Sequence, residues 1–233
     1  MDPAEALRAM RSAIRPAMRL LGGPPPTGSP RAVALLPGSF DPPTVGHVAL
    51  AEAAAREVDL VLLVYATAPL PKGPGAAPAL LDEPSRIEAL SRLAGARPGL
   101  GAAVASHGLL VDQVEAVRDA LRGSRIVLAV GSDKLLQVLD PAWYEDRDAA
   151  LRRLFDRAVV RYAVRGEDEE PVLRALGDPS NARWAGSIGR LDLPGGVAAV
   201  SSSLVRERLR RGEPVDRLVP PEVLPLLPGA SPG

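Results

Sequence analysis

The sequence predicts an α/β fold, a doubly wound parallel sheet with helices on both faces. Two observations carry that prediction. From residue 31 onward, short and nearly continuous apolar runs alternate with helical stretches, as strands buried on both faces require. The chain has 233 residues, 46% of them hydrophobic, which is enough to build a sizeable core.

Residues 1–21 read as a short amphipathic helix. Leu7, Met10, Ile14 and Leu21 recur at helical spacing beside a stripe of Arg8, Arg11, Arg15 and Arg19. Pro16 kinks or ends that helix. Residues 22–30 are a linker by composition, rich in Gly and Pro. Residues 1–30 thus form an N-terminal helical extension ahead of a domain over 31–227. Strands are expected at 32–36, 58–65, 100–105, 126–130 and 158–164, and helices at about 45–57, 85–94, 111–122 and 148–155. Right-handed crossovers between them give a Rossmann-like sheet, whose ligands sit beyond the carboxyl ends of the strands. Residues 228–233 read as a disordered tail.

Charge and composition exclude several functions. The 28 basic and 28 acidic residues cancel to a formal net charge of zero, so neither nucleic acid nor an anionic membrane is expected as a partner. No apolar run approaches the roughly 18 residues that span a bilayer. The N-terminus lacks a signal-peptide layout, and a cytoplasmic location is expected. With no cysteine, disulfides, thiolate metal sites and cysteine nucleophiles are excluded. Only Lys72 and Lys134 among the basic residues are lysine, which singles them out. A homo-oligomer is left open.

After the first strand the chain reads Gly38-Ser39-Phe40-Asp41-Pro42-Pro43-Thr44-Val45-Gly46-His47. Gly38 and Ser39 let backbone approach a ligand. Thr44 and His47 share one face of a helix's first turn, where free N–H groups and the dipole favour an anion. His47 there can donate to a phosphate oxygen, and Gly46 leaves room for it. The segment resembles the first motif of the nucleotidylyltransferase superfamily, written around an (H/T)xGH core. Late in the chain, Ser201-Ser202-Ser203-Leu204-Val205-Arg206 reads as a helix N-cap with a guanidinium beside it, and Gly212 stops that helix. It is similar to the superfamily's second motif, ISSTxIR, and its continuation through Pro214 and Leu218-Val219-Pro220 is similar to adenylyltransferases acting on pyridine nucleotides.

The resemblance implies an adenylyltransferase that transfers AMP from ATP to nicotinate or nicotinamide mononucleotide, releasing pyrophosphate, with Mg2+ held mainly by ATP. It places His47, Thr44 and Arg206 at the reacting phosphates. It places Gly38, Ser39, Phe40, Gly46, Gly131, Asp133, Ser201, Ser202 and Ser203 around ATP. Asp133 lies in Gly131-Ser132-Asp133, similar to the family's G-x-D at the nucleotide ribose; otherwise it caps the following helix. Lys72 in a P-x-x-P-x-K stretch and Arg86 on the next helix match substrate-side positions, or Lys72 is a solvated loop lysine. Trp143 matches a tryptophan that stacks on the pyridine ring, or it packs in the core. Arg165-Gly166 resembles an R-P-G element near adenine without its proline. Two other readings stay open: pantetheine-phosphate adenylyltransferase, which shares the opening and Thr44, and a non-catalytic nucleotide-binding regulatory module.

Overall fold

The computed structural model describes residues 3–22, 30–70, 78–164 and 169–228. Seven strands form one sheet: β1 (Met18–Gly22), β2 (Ala32–Pro37), β3 (Leu60–Ala66), β4 (Leu100–Ala105), β5 (Arg125–Gly131), β6 (Ala158–Ala163) and β7 (Ile188–Arg190). Their order is β1-β4-β3-β2-β5-β6-β7. All pair in parallel except β1, which runs antiparallel to β4. Register stacks like on like: Leu35 of β2 faces Leu62 of β3 on one side and Leu128 of β5 on the other.

The two-residue strand period divides the core. Ala34, Leu36, Val61 and Leu63 point to one face, where α1 (Pro3–Arg11), α2 (Val45–Ala54), α3 (Glu83–Ala96) and α8 (Ser202–Arg210) pack. Val33, Leu35, Leu60 and Leu62 point to the other, under α4 (Leu110–Ala120), α5 (Ser132–Leu139), α6 (Arg147–Phe155) and α7 (Glu170–Gly177). Each fully buried leucine contributes about 1.5–3 kcal/mol. Strand order reverses at β2: the chain leaves toward β3 and returns on the other side as β5. The crevice of a doubly wound sheet opens at that point.

The N-terminal expectation needs correction. The helix is present but ends at Arg11, and Met18–Gly22 is an edge strand. The spacing that suggested one long helix was coincidental, since Ile14, assigned to its apolar stripe, is 95% exposed. Strand β1 covers the open edge of β4, a pairing that satisfies backbone groups otherwise left bare. Ser106 pins its start: the Ala17 N–H donates to Ser106 Oγ at 2.9 Å, and the Ser106 N–H donates to the Ala17 carbonyl at 3.0 Å. Leu7 and Met10 of α1 join the core, and Arg11 pairs with Glu83. The extension therefore belongs to the sheet's body.

Helix α3 shows how local chemistry sets an element. Asp82 is its N-cap, accepting from the Ser85 N–H at 2.8 Å, with Pro in the first turn. Hydrogen bonding from the Ser85 side chain, and then from its N–H, holds the Asp82 carboxyl below its ordinary value of 3.8. Asp82→Ala should cost about 1 kcal/mol at neutral pH. Because the folded value is depressed, the contribution is complete above the ordinary value and is lost as pH falls through the folded one. Urea unfolding of both proteins should show a gap at neutral pH that closes in strong acid; a pH-independent gap would contradict the cap.

Candidate active site

The first loop is shaped by its glycines and one aromatic ring. A Cβ on Gly38 would lie 2.9–3.1 Å from the ring of Phe40, so only glycine fits there. Phe40 has φ 46°, a left-handed conformation that costs a bulky residue about 1–3 kcal/mol. Complete burial of its ring offsets that cost, and the ring packs 5.1 Å from the His47 imidazole. Phe40, expected around ATP, thus lies beneath the loop, supporting Gly38 and His47 from below.

Thr44 is the N-cap of α2. Its N–H donates to His47 Nδ1 at 3.1 Å, a capping box with histidine in the usual Glu/Gln place. A backbone N–H can only donate, so Nδ1 is the acceptor and the neutral ring carries its proton on Nε2. The Thr44 hydroxyl donates to the Val200 carbonyl at 3.1 Å and lies 2.8 Å from Nδ1. Thr44 is fully buried and does not line the cleft. It orients the histidine, where sequence reasoning placed it against a phosphate.

The late serine–arginine segment docks directly on this loop. Ser201 caps α8, accepting from the Leu204 N–H at 3.2 Å, and Ser202 Oγ donates to the Pro42 carbonyl at 2.8 Å. A Cβ on Gly46 would lie 2.5 Å from the Val200 carbonyl oxygen and 3.1 Å from that of Val197. Gly46 does leave room, but for this backbone and not for a phosphate.

Asp41 joins the two sides. Its carboxylate accepts from the Leu81 N–H at 2.8 Å and the Leu80 N–H at 3.0 Å. Arg86 and Arg206 flank it at 3.4 and 3.5 Å, with the Asp41 side chain only 2% exposed. Arg206 also donates to the Asp41 carbonyl at 2.6 Å and to Ser203 Oγ at 3.0 Å. Two guanidiniums are thereby held beside the same loop, on a single buried anion.

These segments wall one cleft of about 770 Å³ over the carboxyl ends of β2, β3 and β5. The first loop supplies Gly38, Ser39 and His47; α3 supplies Arg86. Gly131 and Asp133 come from the β5–α5 junction, and Ser201, Ser202, Ser203 and Arg206 from α8. Lys72 and the Arg165-Gly166 pair lie outside the described residues. Trp143 does not line the cleft; it sits half-buried in a single 3-10 turn, Pro141–Trp143. Its neighbour Tyr144 donates to the Val138 carbonyl at 3.0 Å, and burial pushes that phenol up to about 12.

Sequence reasoning missed several lining residues, among them Tyr65, Gly108, Gln113, Lys134 and Arg210. Lys134 carried a signal, being one of two lysines beside Asp133; its Nζ donates to Gln137 Oε1 at 2.6 Å. The Tyr65 hydroxyl donates to Glu83 at 2.8 Å, and burial together with that carboxylate pushes its pKa well above the ordinary phenol value. Tyr65 therefore stays neutral and is no base. Asp41 was legible only as part of the motif, because its contacts come from residues about 40 and 165 positions away.

The lining of this cleft has what binding a polyanion requires. It combines the N-termini of α5 and α8, a neutral histidine donor and two arginines, at the switch point of a doubly wound sheet. This is the construction of a nucleotidyltransferase site. A family model described as cytidylyltransferase-like matches residues 35–208. The chain belongs to that family and is a nucleotidyltransferase. It is 32% identical to a Chromohalobacter salexigens protein named probable nicotinate-nucleotide adenylyltransferase, covering 83% of this chain and 92% of the relative. A Symbiobacterium thermophilum phosphopantetheine adenylyltransferase is 30% identical over 81% of this chain and 89% of its own length. A Schizosaccharomyces pombe protein, provisionally named nicotinamide mononucleotide adenylyltransferase, is 24% identical over 84% of each chain.

Proposed function

We propose that the chain transfers AMP from ATP to a pyridine mononucleotide, releasing pyrophosphate, with a cytoplasmic setting that supplies the ATP. The observation that carries this reading is that His47 and Arg206, about 160 residues apart, wall one cleft with Ser201 to Ser203. Relatives named for nicotinate-nucleotide and nicotinamide mononucleotide substrates support the choice of acceptor.

An oxygen of the mononucleotide phosphate attacks the α-phosphorus of ATP in line. The new P–O bond forms as the bond to the β-phosphate oxygen breaks, and pyrophosphate leaves with that electron pair. The attacking phosphate is already ionised at neutral pH, its second pKa being about 6, so no general base is required. The protein's work is alignment and charge stabilisation. The proton on His47 Nε2 meets a non-bridging phosphate oxygen, and Arg206, with the N-terminus of α8, takes the charge that develops on the leaving group. Among the described residues no three His, Asp or Glu side chains gather into a metal cage. Magnesium, carried by ATP, would neutralise phosphate charge when bound.

Pyrophosphate release is measured with ATP, magnesium and, separately, nicotinamide mononucleotide, nicotinate mononucleotide and phosphopantetheine. Turnover with a pyridine mononucleotide is expected. Turnover with phosphopantetheine alone would move the chain to the branch of its Symbiobacterium relative, and none at all would leave a nucleotide-binding module. Arg206→Ala should raise the KM for ATP roughly 10–100-fold, as loss of a charged hydrogen bond does, and change the mononucleotide KM far less. Equal changes in both would count against its place at the triphosphate.

A further inference from the structure

Among the described residues four arginine or lysine side chains line the cleft, and three of them are already engaged within the protein. Arg86 and Arg206 share Asp41, and the Lys134 ammonium donates to Gln137. Arg210 is the fourth, and among the described residues it has no hydrogen-bond or ion-pair partner. Acids stand close to it in the chain but are taken by other arginines. Glu207 pairs with Arg211, and Glu213 lies 3.6 Å from Arg208 and 3.9 Å from Arg211. Arg210 therefore brings an uncompensated charge and five N–H donors to the cleft.

Helix α8 fixes where that charge sits. Val205 and Leu209 pack on the core, and Arg206 and Arg210, each one residue further on, share the adjacent face that lines the cleft. Helical side chains lean toward the N-terminus, so Arg210 reaches back over the turn that carries Arg206. Exposure rises along this wall: His47 is 7% exposed, the Arg206 side chain 13%, and Arg210 stands in solvent at the rim. Like charges one turn apart repel, and an anion shared between them relieves the repulsion. A triphosphate whose α-phosphorus lies at His47 runs outward past Arg206 and ends at Arg210 with its most highly charged phosphate.

We propose that Arg210 binds the terminal phosphate of the nucleotide and so makes the site select a nucleoside triphosphate over the diphosphate. The proposal rests on ATP being the AMP donor, as read above. The guanidinium makes no covalent bond; its planar fork donates to two oxygens of one phosphate. ADP lacks that phosphate and leaves Arg210 with nothing to hold. In the transfer reaction the same phosphate departs as the outer half of pyrophosphate, so the contact persists on the leaving group.

The test is calorimetric titration of the full chain with ATP and, separately, with ADP, each with magnesium. Wild type should bind ATP at least about fivefold more tightly than ADP, as an added charged hydrogen bond allows. Arg210→Gln should weaken ATP by roughly five- to thirtyfold, the loss of that bond discounted for exposure, and ADP by less than about twofold. Its thermal unfolding should match wild type, since the side chain has no partner to lose, and the wild-type preference is itself a test that needs no variant. Equal affinity of the wild type for the two nucleotides overturns the proposal. So does an Arg210→Gln variant that weakens both alike or neither, which would make Arg210 a solvated surface arginine or a general support of the cleft. The titrations contain no acceptor, so an error in the acceptor assignment leaves their reading unchanged. No binding of ATP to the wild type overturns the ATP reading, and this proposal with it.

Discussion

His47→Ala is expected to lower kcat by roughly 10²–10³, the loss of about 2–4 kcal/mol of transition-state stabilisation that accompanies removal of one aimed donor. The aim comes from Thr44, whose N–H fixes Nδ1 as acceptor, and from the buried Phe40 ring 5.1 Å away. Folding should suffer far less, since the variant gives up one capping hydrogen bond, worth about 1 kcal/mol. Rapid-quench measurement of AMP transfer separates the two effects when run beside thermal unfolding. A folded variant with wild-type turnover would remove His47 from the chemistry.

Asp41→Ala should be the most damaging single change to the fold of the site. The substitution strips the Leu80 and Leu81 N–H groups of their acceptor and leaves Arg86 and Arg206 beside each other without their shared anion. Breaking a buried charged network in this way costs about 3–5 kcal/mol, seen as a lower urea midpoint. Asp41→Asn keeps the shape and one acceptor oxygen, so it should fold better. Its Arg206 would still lose charge pairing, and its KM for ATP should rise. Urea stability of Asp41→Ala equal to wild type would show that the two arginines are held by other groups.

The sheet was legible because its strands are apolar on both faces, and every strand from β2 to β6 stands where the apolar runs placed it, to within two residues. β1 was not, because five residues between Pro16 and a glycine-rich stretch are too few to show a period, and their pairing partner lies about 85 positions away. β7 is three residues long and only partly buried, with no apolar run to mark it. In the site, the two motifs announced which segments meet, whereas the division of labour within them needed coordinates. Gly46 faces backbone, Thr44 faces a histidine and Phe40 faces the core, all within ten residues that the sequence presents as one ligand loop. Arg210 carried no signal at all, since an unpartnered cation exists only once the pairs made by its neighbours are known.

The most direct measurement is a crystal structure of the protein with a non-hydrolysable ATP analogue. The triphosphate should lie between His47 Nε2 and the Arg206 guanidinium, with its β- and γ-phosphates over the N-terminus of α8. An analogue bound elsewhere, or touching one of these residues without the other, would contradict the account.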